Sequence, residues 1–333
     1  MATLPPEPAL APAELDSRLA ANPVDLTALL AKADWSLRAG DRRSAGALYA
    51  AAAGSPDRDH SQASPDRVRA AQASMALQRA YVDHMMQTLS AAGFGRSQWH
   101  SRFAKALDIM TGQRPRNPVT TAWPQMPGVF FYPDLPDIDF IEADPDWAGE
   151  VEAATGAIAS ELDALRGAAD AFEAYVSGQS GAAQNDYHGM LGNRDWSSLH
   201  LVENGARKAR PASATLVALD AAPLCEIDGR TPSVLFSRLT AGAHIPPHTG
   251  MLNFRAICHL PIIVPGNGEI RVGGARRTWE KGKLLVFDDS VEHEAWNRSQ
   301  EERIVLIFDI WKPEIEDIEK AQLRTLFGTV DSF

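Results

Sequence analysis

The sequence predicts an α+β protein, an α-helical N-terminal region followed by a β-sandwich or barrel. Three observations predict it: apolar residues recur at helical spacing through 12–53, the composition turns rich in Pro and aromatics over 115–136, and beyond residue 196 short β-branched and apolar runs alternate with Gly, Pro and Asp clusters. A chain of 333 residues is expected to form two domains, 1–95 and 96–333, each able to bury a core.

In the first region Leu26, Leu29, Leu30, Ala33 and Leu37 share one helical face, Gly40-Asp41 breaks the pattern, and Ala45, Leu48, Tyr49 and Ala52 mark a second helix. The order Trp35, Gly40, Asp41, Ala45, Tyr49, Ala52 resembles one tetratricopeptide repeat, although any Ala-rich helical hairpin needs small residues where its helices touch. One hairpin cannot bury its own apolar face, so it is expected to pack on the helical stretch 65–92 or on the next domain, and to be able to recruit a protein partner. The stretch 115–136, with Phe130-Phe131-Tyr132-Pro133, reads as a boundary, and 147–165 as a lead-in helix. Strands are expected at 233–239, 257–264, 283–287 and 304–311, with a hairpin turn at Gly266-Asn267-Gly268.

Composition excludes several classes. With 45% hydrophobic and 23% charged residues the chain is an ordinary globular protein, and its net charge of -11 argues against nucleic acid or an anionic membrane as partner. The densest basic cluster, 207–210, is too short to reverse that. The two cysteines, Cys225 and Cys258, cannot make a disulfide framework and suit a reducing compartment, so the cytoplasm is expected. The N-terminus lacks the basic start and apolar core of a signal peptide, and no stretch approaches membrane-spanning length, so a soluble protein is expected. There is no G-x-S-x-G elbow, Walker loop, dinucleotide fingerprint, C-x-x-C or H-E-x-x-H motif.

Histidine density stands out. Four of nine, His244, His248, His259 and His293, lie in strand-like sequence near the C-terminal end. Pro246 and Pro247 forbid a regular helix between His244 and His248, and in an extended segment those two lie about 13 Å apart at ~3.3 Å per residue, too far for one ion. His248 and His293 belong to different strands, whose ends a barrel can bring together from any sequence separation. Imidazoles with a carboxylate and open coordination positions suit iron(II) oxygenases, which leave room for a bidentate cosubstrate and dioxygen. The usual form has Asp or Glu two residues after the first His, where this chain has Gly250.

Pro247-His248-Thr249-Gly250-Met251-Leu252-Asn253 and Phe287-Asp288-Asp289-Ser290-Val291-Glu292-His293-Glu294 resemble the aspartyl/asparaginyl β-hydroxylase family over residues 196–313. The resemblance implies a double-stranded β-helix of the jelly-roll, cupin-like kind. It also implies Fe(II) held by His248 and His293 without a carboxylate, with Gly250 as the family's own variant, and 2-oxoglutarate and dioxygen as cosubstrates. Eukaryotic members also carry tetratricopeptide-like helices before the catalytic domain. By the same resemblance Arg303 is the cosubstrate arginine, Ser237 its helping hydroxyl and His259 a second contact to its carboxylates; arginine suits the task because its planar fork matches a carboxylate. Asp289 either holds a water beside the metal or, with Asp288, shapes a turn. One departure concerns Ile257, which stands where eukaryotic members have an arginine. Either its loss changes how the cosubstrate sits or Arg255, on the same face by period-two alternation, compensates.

The implied activity is oxygen-dependent hydroxylation of a carbon, coupled to conversion of 2-oxoglutarate to succinate. The expected substrate is Asp or Asn in a peptide, or a related carboxylate-bearing small molecule. Arg207, Lys208, Arg210, Arg276 and Arg277 are candidate substrate contacts or plain surface charges. From another class comes a non-catalytic cupin-like and tetratricopeptide interaction protein; a zinc cupin enzyme would normally show a third protein ligand.

Overall fold

The computed structural model describes residues 4–56, 64–167, 171–176, 189–330 and 332–333; of the span expected to be helical, 1–3 and 57–63 lie outside them. The described chain forms two compact units, one running to Gly95 with Thr329–Phe333, the other from Arg96 to Gly328.

The first unit contains α1 (Pro12–Ala21), α2 (Leu26–Arg38), α3 (Arg42–Gly54) and α4 (Pro65–Ala91). Asp25 and Asp41 cap α2 and α3, each accepting a backbone N–H three residues on. Between those helices Gly40 takes φ +86°, which glycine adopts without steric cost. Leu29, Leu30, Ala33, Ala45, Tyr49, Ala52 and Ala70 form the core, the alanines being small where the helices meet. Buried Asp34 there is satisfied by the Tyr49 hydroxyl and by Arg69 at 2.8 Å.

The second unit begins with α5 (Ser101–Met110), β1 (Phe140–Ile141), α6 (Pro145–Ala153), α7 (Thr155–Arg166) and β2 (Glu173–Ala174). It continues with β3 (Trp196–Glu203), β4 (Ala206–Arg207), α8 (Ser213–Ala218), β5 (Val234–Leu239), β6 (His244–His248), β7 (Arg255–Ile263) and β8 (Gly268–Val272). β9 (Ala275–Thr278), β10 (Leu285–Phe287), β11 (His293–Asn297), β12 (Arg303–Trp311) and α9 (Asp317–Gly328) complete it. The strands make two antiparallel sheets, one in the order β1-β10-β7-β12-β5-β3-β2 with β4 on β3, the other β6-β11-β8-β9. Strands β5 to β12 are thereby divided between facing sheets in jelly-roll order, the cupin-like double-stranded β-helix.

Period-two alternation divides each central strand between two cores. From β12, Ile304, Leu306, Phe308 and Ile310 face a layer that includes Ile158, Leu162 and Leu165 of α7, while Val305 and Ile307 face the space between the sheets. From β7, Ala256, Cys258, Leu260 and Ile262 take the helix side, leaving Ile257 with the inner core. Arg303, Asp309, Arg255 and His259 share the parity of the inner-facing residues, so the polar groups of these two strands line the barrel interior.

Three expectations need correction. Gly266-Asn267-Gly268 does turn, with φ +90° and +50° at the first two residues, but it joins β7 to β8 in the other sheet and is not a hairpin. Turn chemistry is the same for both, so sequence cannot tell a hairpin from a sheet crossing. The stretch 147–165 is two helices, α6 and α7, meeting at Ala154. The stretch 115–136 is no boundary: residues 125–130 form a strap bonded to the loops after β6 and before β11, through Met126 N–H to Ser290 O (2.6 Å), Gly128 N–H to Gly250 O (2.9 Å) and Val129 N–H to Met251 O (3.0 Å). Its backbone donors are paired with loops, leaving no ladder periodicity to read.

Candidate active site

His248 ends β6 and His293 begins β11, and the two are register partners across the small sheet, with ring centres 4.1 Å apart. Each ring is oriented by its own backbone. His248 Nδ1–H donates to Pro246 O at 2.8 Å and His293 Nδ1–H to Val291 O at 3.0 Å, which in neutral imidazoles leaves the lone pair on Nε2. Burial drives the His293 pKa down to about 3, with His248 adding to the effect, so that ring is neutral at physiological pH. His244, by contrast, faces outward, stacked on Trp296 and 3.0 Å from Glu294.

The two adjacent aspartates that precede His293 differ in their surroundings. Asp288 is fully buried and satisfied: Oδ1 accepts from Ser290 N–H (3.0 Å) and Oγ–H (2.6 Å), and Oδ2 accepts from Gln125 (2.9 Å) and Lys312. Asp289 instead turns toward Gly250, where a Cβ built on the glycine would fall 1.9 Å from its Oδ2. The Asp289 carboxylate thus fills the place where a side chain at 250 would begin. Its Oδ2 lies 3.3 Å from Arg255, its buried Oδ1 has no hydrogen-bond partner among the described residues, and burial pushes its pKa up to about 6 against the pull of Arg255. Arg255 is ion-paired to two carboxylates, Asp289 (3.3 Å) and Asp309 (3.1 Å), which leaves its Nε without a hydrogen-bond partner among the described residues.

Two chains of contacts lead inward from the histidine pair to Arg303. Through one, His248 meets the Trp196 ring (5.6 Å between centres), Trp196 Nε1–H donates to Ser237 Oγ (3.2 Å), and Arg303 Nη1 donates to Ser237 O (3.4 Å). Through the other, His293 meets Phe287 (5.4 Å), Phe287 meets His259 (5.0 Å), and His259 meets Trp279, whose ring lies under the Arg303 guanidinium. His248, His293, Ser237, His259 and Arg303 therefore share one interior. Arg303 is 2% exposed, its Nε has no partner, and among the described residues no carboxylate lies within 4.0 Å of it. Burial alone lowers its pKa.

Sequence reasoning missed Trp196, Phe287 and Trp279, which join the polar groups together; Trp196 and Phe287 are strand residues on the inner face, and a period-two count extended to β3 and β10 finds both. Of the candidate substrate contacts, Lys208 pairs with Glu203, Arg276 pairs with Glu269 and Arg277 lies over Phe140.

Among the described residues, the one cluster of three ligand-type side chains within reach of a single ion is elsewhere: His100, Glu316 and Glu319. There Glu319 already accepts from Arg102 (2.9 and 2.6 Å), the Tyr132 hydroxyl (2.6 Å) and the Glu316 N–H (2.9 Å), so its lone pairs are taken.

Comparison with known proteins matches the barrel to one family. Residues 152–313 match the model of the aspartyl/asparaginyl β-hydroxylase family. The chain is 37% identical over 139 residues to human aspartyl/asparaginyl beta-hydroxylase, covering 40% of this chain and 18% of that one. It is 29% identical over 214 residues to aspartate beta-hydroxylase domain-containing protein 2 of Xenopus tropicalis (61% and 55% covered), and 31% identical over 173 residues to the ornithine lipid ester-linked acyl 2-hydroxylase of Rhizobium tropici (50% and 58%). The matched span contains both histidines, Gly250, Asp289, Ser237, His259 and Arg303, and over that span the barrel is similar to the aspartyl/asparaginyl β-hydroxylase family; the chain spans 18%, 55% and 58% of the length of these three relatives.

Proposed function

We propose that the barrel is an Fe(II)- and 2-oxoglutarate-dependent hydroxylase. The observation that carries this reading is a pair of imidazoles with Nε2 lone pairs that share one interior with a buried guanidinium, which has no carboxylate partner among the described residues. The residues present fit a ferrous ion. Two neutral nitrogen ligands and no direct protein carboxylate leave coordination positions open for a keto-acid and dioxygen, and the Cβ-less cradle at Gly250 holds a carboxylate oxygen, Asp289 Oδ1, that lacks a partner.

In this reading His248 and His293 hold the metal, and Asp289 accepts a hydrogen bond from a water beside it. Arg303 binds the distal carboxylate of 2-oxoglutarate as a charge-assisted fork, Ser237 donates its hydroxyl hydrogen to the same carboxylate, and His259 contacts the cosubstrate as a neutral donor. The bound iron would supply the activation of dioxygen that a protein side chain cannot. The balance is substrate C–H, 2-oxoglutarate and O2 giving substrate C–OH, succinate and CO2. The apolar inner wall, including Ile257, Ile307 and Phe287, keeps bulk water from the reacting centre.

The substrate follows from the family: Asp or Asn of a peptide, or a carboxylate-bearing small molecule. An acyl chain is a second reading, favoured by Ile257 on the inner wall and by exposed Met126, Val129 and Met251 along the strap and the loop it is bonded to. No helix among the described residues is long and apolar enough to cross a membrane.

The test is anaerobic titration of the metal-free protein with Fe(II) and 2-oxoglutarate, read by the visible charge-transfer band, then succinate release on admitting oxygen with peptide or acyl substrates. The band should appear in the wild type and vanish in His248→Ala. Iron-loaded protein with neither band nor succinate would leave the silent, partner-binding reading in its place.

A further inference from the structure

We infer that Trp279 is a positioning residue for the keto-diacid: its indole N–H sets the tautomer of His259 while its ring face seats the guanidinium of Arg303. The inference rests on the cosubstrate reading above and assigns the device that makes both contacts competent at once.

Trp279 follows β9, where the chain leaves the small sheet for β10 in the large one, and its side chain is buried. Its Nε1 lies 3.3 Å from His259 Nδ1. An indole nitrogen only donates, so Nδ1 must be the accepting atom, and a neutral His259 then carries its proton on Nε2. Burial, with Arg303 and His293 close by, keeps His259 neutral. The consequence is chemical. A neutral imidazole presenting an Nε2 lone pair would repel a carboxylate, whereas one presenting Nε2–H donates to it.

The same indole lies 4.6 Å, ring centre to guanidinium carbon, from Arg303. In a desolvated place the ring's negative face stabilises the cation without occupying its N–H groups, which stay available for a ligand. A carboxylate in the same position would stabilise the cation more strongly and would occupy its N–H groups. Room for the indole is built in at Gly268 of β8, where a Cβ would stand 3.2 Å from Trp279 Cε3 and Cζ3. Phe287 also packs on His259, the two rings edge-on at 5.0 Å between centres, so the imidazole is held by packing as well as by its hydrogen bond.

A purely structural tryptophan would be replaced well by phenylalanine, and this separates the two roles. The first measurement uses full-length, metal-free protein and reads the His259 ring nitrogens by 15N NMR, assigned with His259→Gln. Wild type should show the Nε2–H form, and Trp279→Phe a mixture of tautomers. The second measures 2-oxoglutarate affinity with Mn(II) in place of iron, under nitrogen. Trp279→Phe should weaken it about tenfold, and Trp279→Leu, which also removes the ring face, further by a similar factor, as for a desolvated cation–π contact. With iron and saturating 2-oxoglutarate, kcat should change less than about twofold in Trp279→Phe, as for a group that acts on ground-state binding. A proton on His259 Nδ1 in the wild type overturns the inference without any variant. So does Trp279→Phe with unchanged tautomer and affinity. Wild-type protein that keeps the Nε2–H form yet fails to bind 2-oxoglutarate overturns the cosubstrate reading, and the role of Trp279 with it.

Discussion

Two buried clusters of ionisable groups lie in the second unit, and they differ in how far their charges are answered. Around Glu319, Arg102 supplies a two-pronged ion pair, Tyr132 a hydroxyl and the helix-start backbone an N–H, while His100 Nδ1 lies 2.8 Å away, off the line of a hydrogen bond. Burial raises the pKa of Glu319, but these donors more than offset it and hold the carboxyl below its usual range. Between the sheets, Arg303 has no carboxylate partner among the described residues, Asp289 keeps an oxygen without a partner, and His293 is stripped of its basicity. Ligand-type residues are as dense in the first cluster as in the second. What separates the two is uncompensated polarity: the carboxylate of Glu319 is answered, whereas among the described residues Arg303 has no carboxylate and Asp289 Oδ1 no hydrogen-bond partner.

The largest effect that tests this contrast is on metal binding. His248→Ala and His293→Ala each remove one of the two proposed metal ligands and should weaken Fe(II) binding by more than about a hundredfold, beyond the loss seen when only a supporting partner goes. Glu319→Gln should leave affinity and stoichiometry unchanged in an anaerobic chelator competition. The reverse pattern would move the metal to the α5–α9 junction and break the comparison.

The next effect has opposite signs in the two clusters. Arg303→Met removes an unanswered buried cation, so the ligand-free protein should gain about 1–3 kcal/mol in denaturant unfolding, while 2-oxoglutarate affinity falls by about two to three orders of magnitude. Arg102→Met leaves Glu319 charged and buried and should lose about 2 kcal/mol, discounted for the part of Arg102 that meets solvent. Equal losses in both variants would mean that Arg303 is structural.

Much of this contrast was legible in the residues. Alternation in 304–311 and 257–264 gave the strands and the shared faces; the residues alone left the histidine pair open, and the family resemblance of the two histidine motifs singled out the pair that β6 and β11 bring into register. The division of labour between Asp288 and Asp289 was not legible, because both sit in one turn and only the packing of Lys312, Gln125 and Gly250 around them tells them apart. The strap at 125–130 was hidden for a related reason: its hydrogen bonds go to loops, so no periodicity marks it. Helices α5 and α9 were also missed; α9 has Glu319 and Gln322 buried on the side expected to be apolar, which blurs its amphipathic pattern.

A third test uses pH to ask whether the Asp289 charge is compensated. Its folded pKa, raised by burial to about 6, exceeds the unfolded value, so ionisation costs stability: nothing below about pH 4, a growing cost between 4 and 6, and about 3 kcal/mol above that. In metal-free protein the advantage of Asp289→Asn over wild type should therefore grow as pH rises from 4 to 6, read by thermal melts. For Glu319, whose folded pKa is depressed, the sign reverses: wild type holds an advantage over Glu319→Gln at neutral pH and loses it on acidification. Parallel slopes would erase the distinction between the clusters.

The smallest effect tests the cradle itself. Gly250 has no room for a Cβ because Asp289 Oδ2 would stand 1.9 Å from it, so Gly250→Ala must push the carboxylate aside at a cost of about 2 kcal/mol, as for overpacking. If the clash is with Asp289 and nothing else, Asp289→Ala should remove most of that cost, and the double variant should be more stable than the sum of the singles predicts. Backbone strain is not expected to contribute, since Gly250 is not among the positive-φ glycines. Additive losses in the cycle would place the crowding elsewhere, and the carboxylate of Asp289 would then not be what fills the vacancy left by the missing side chain.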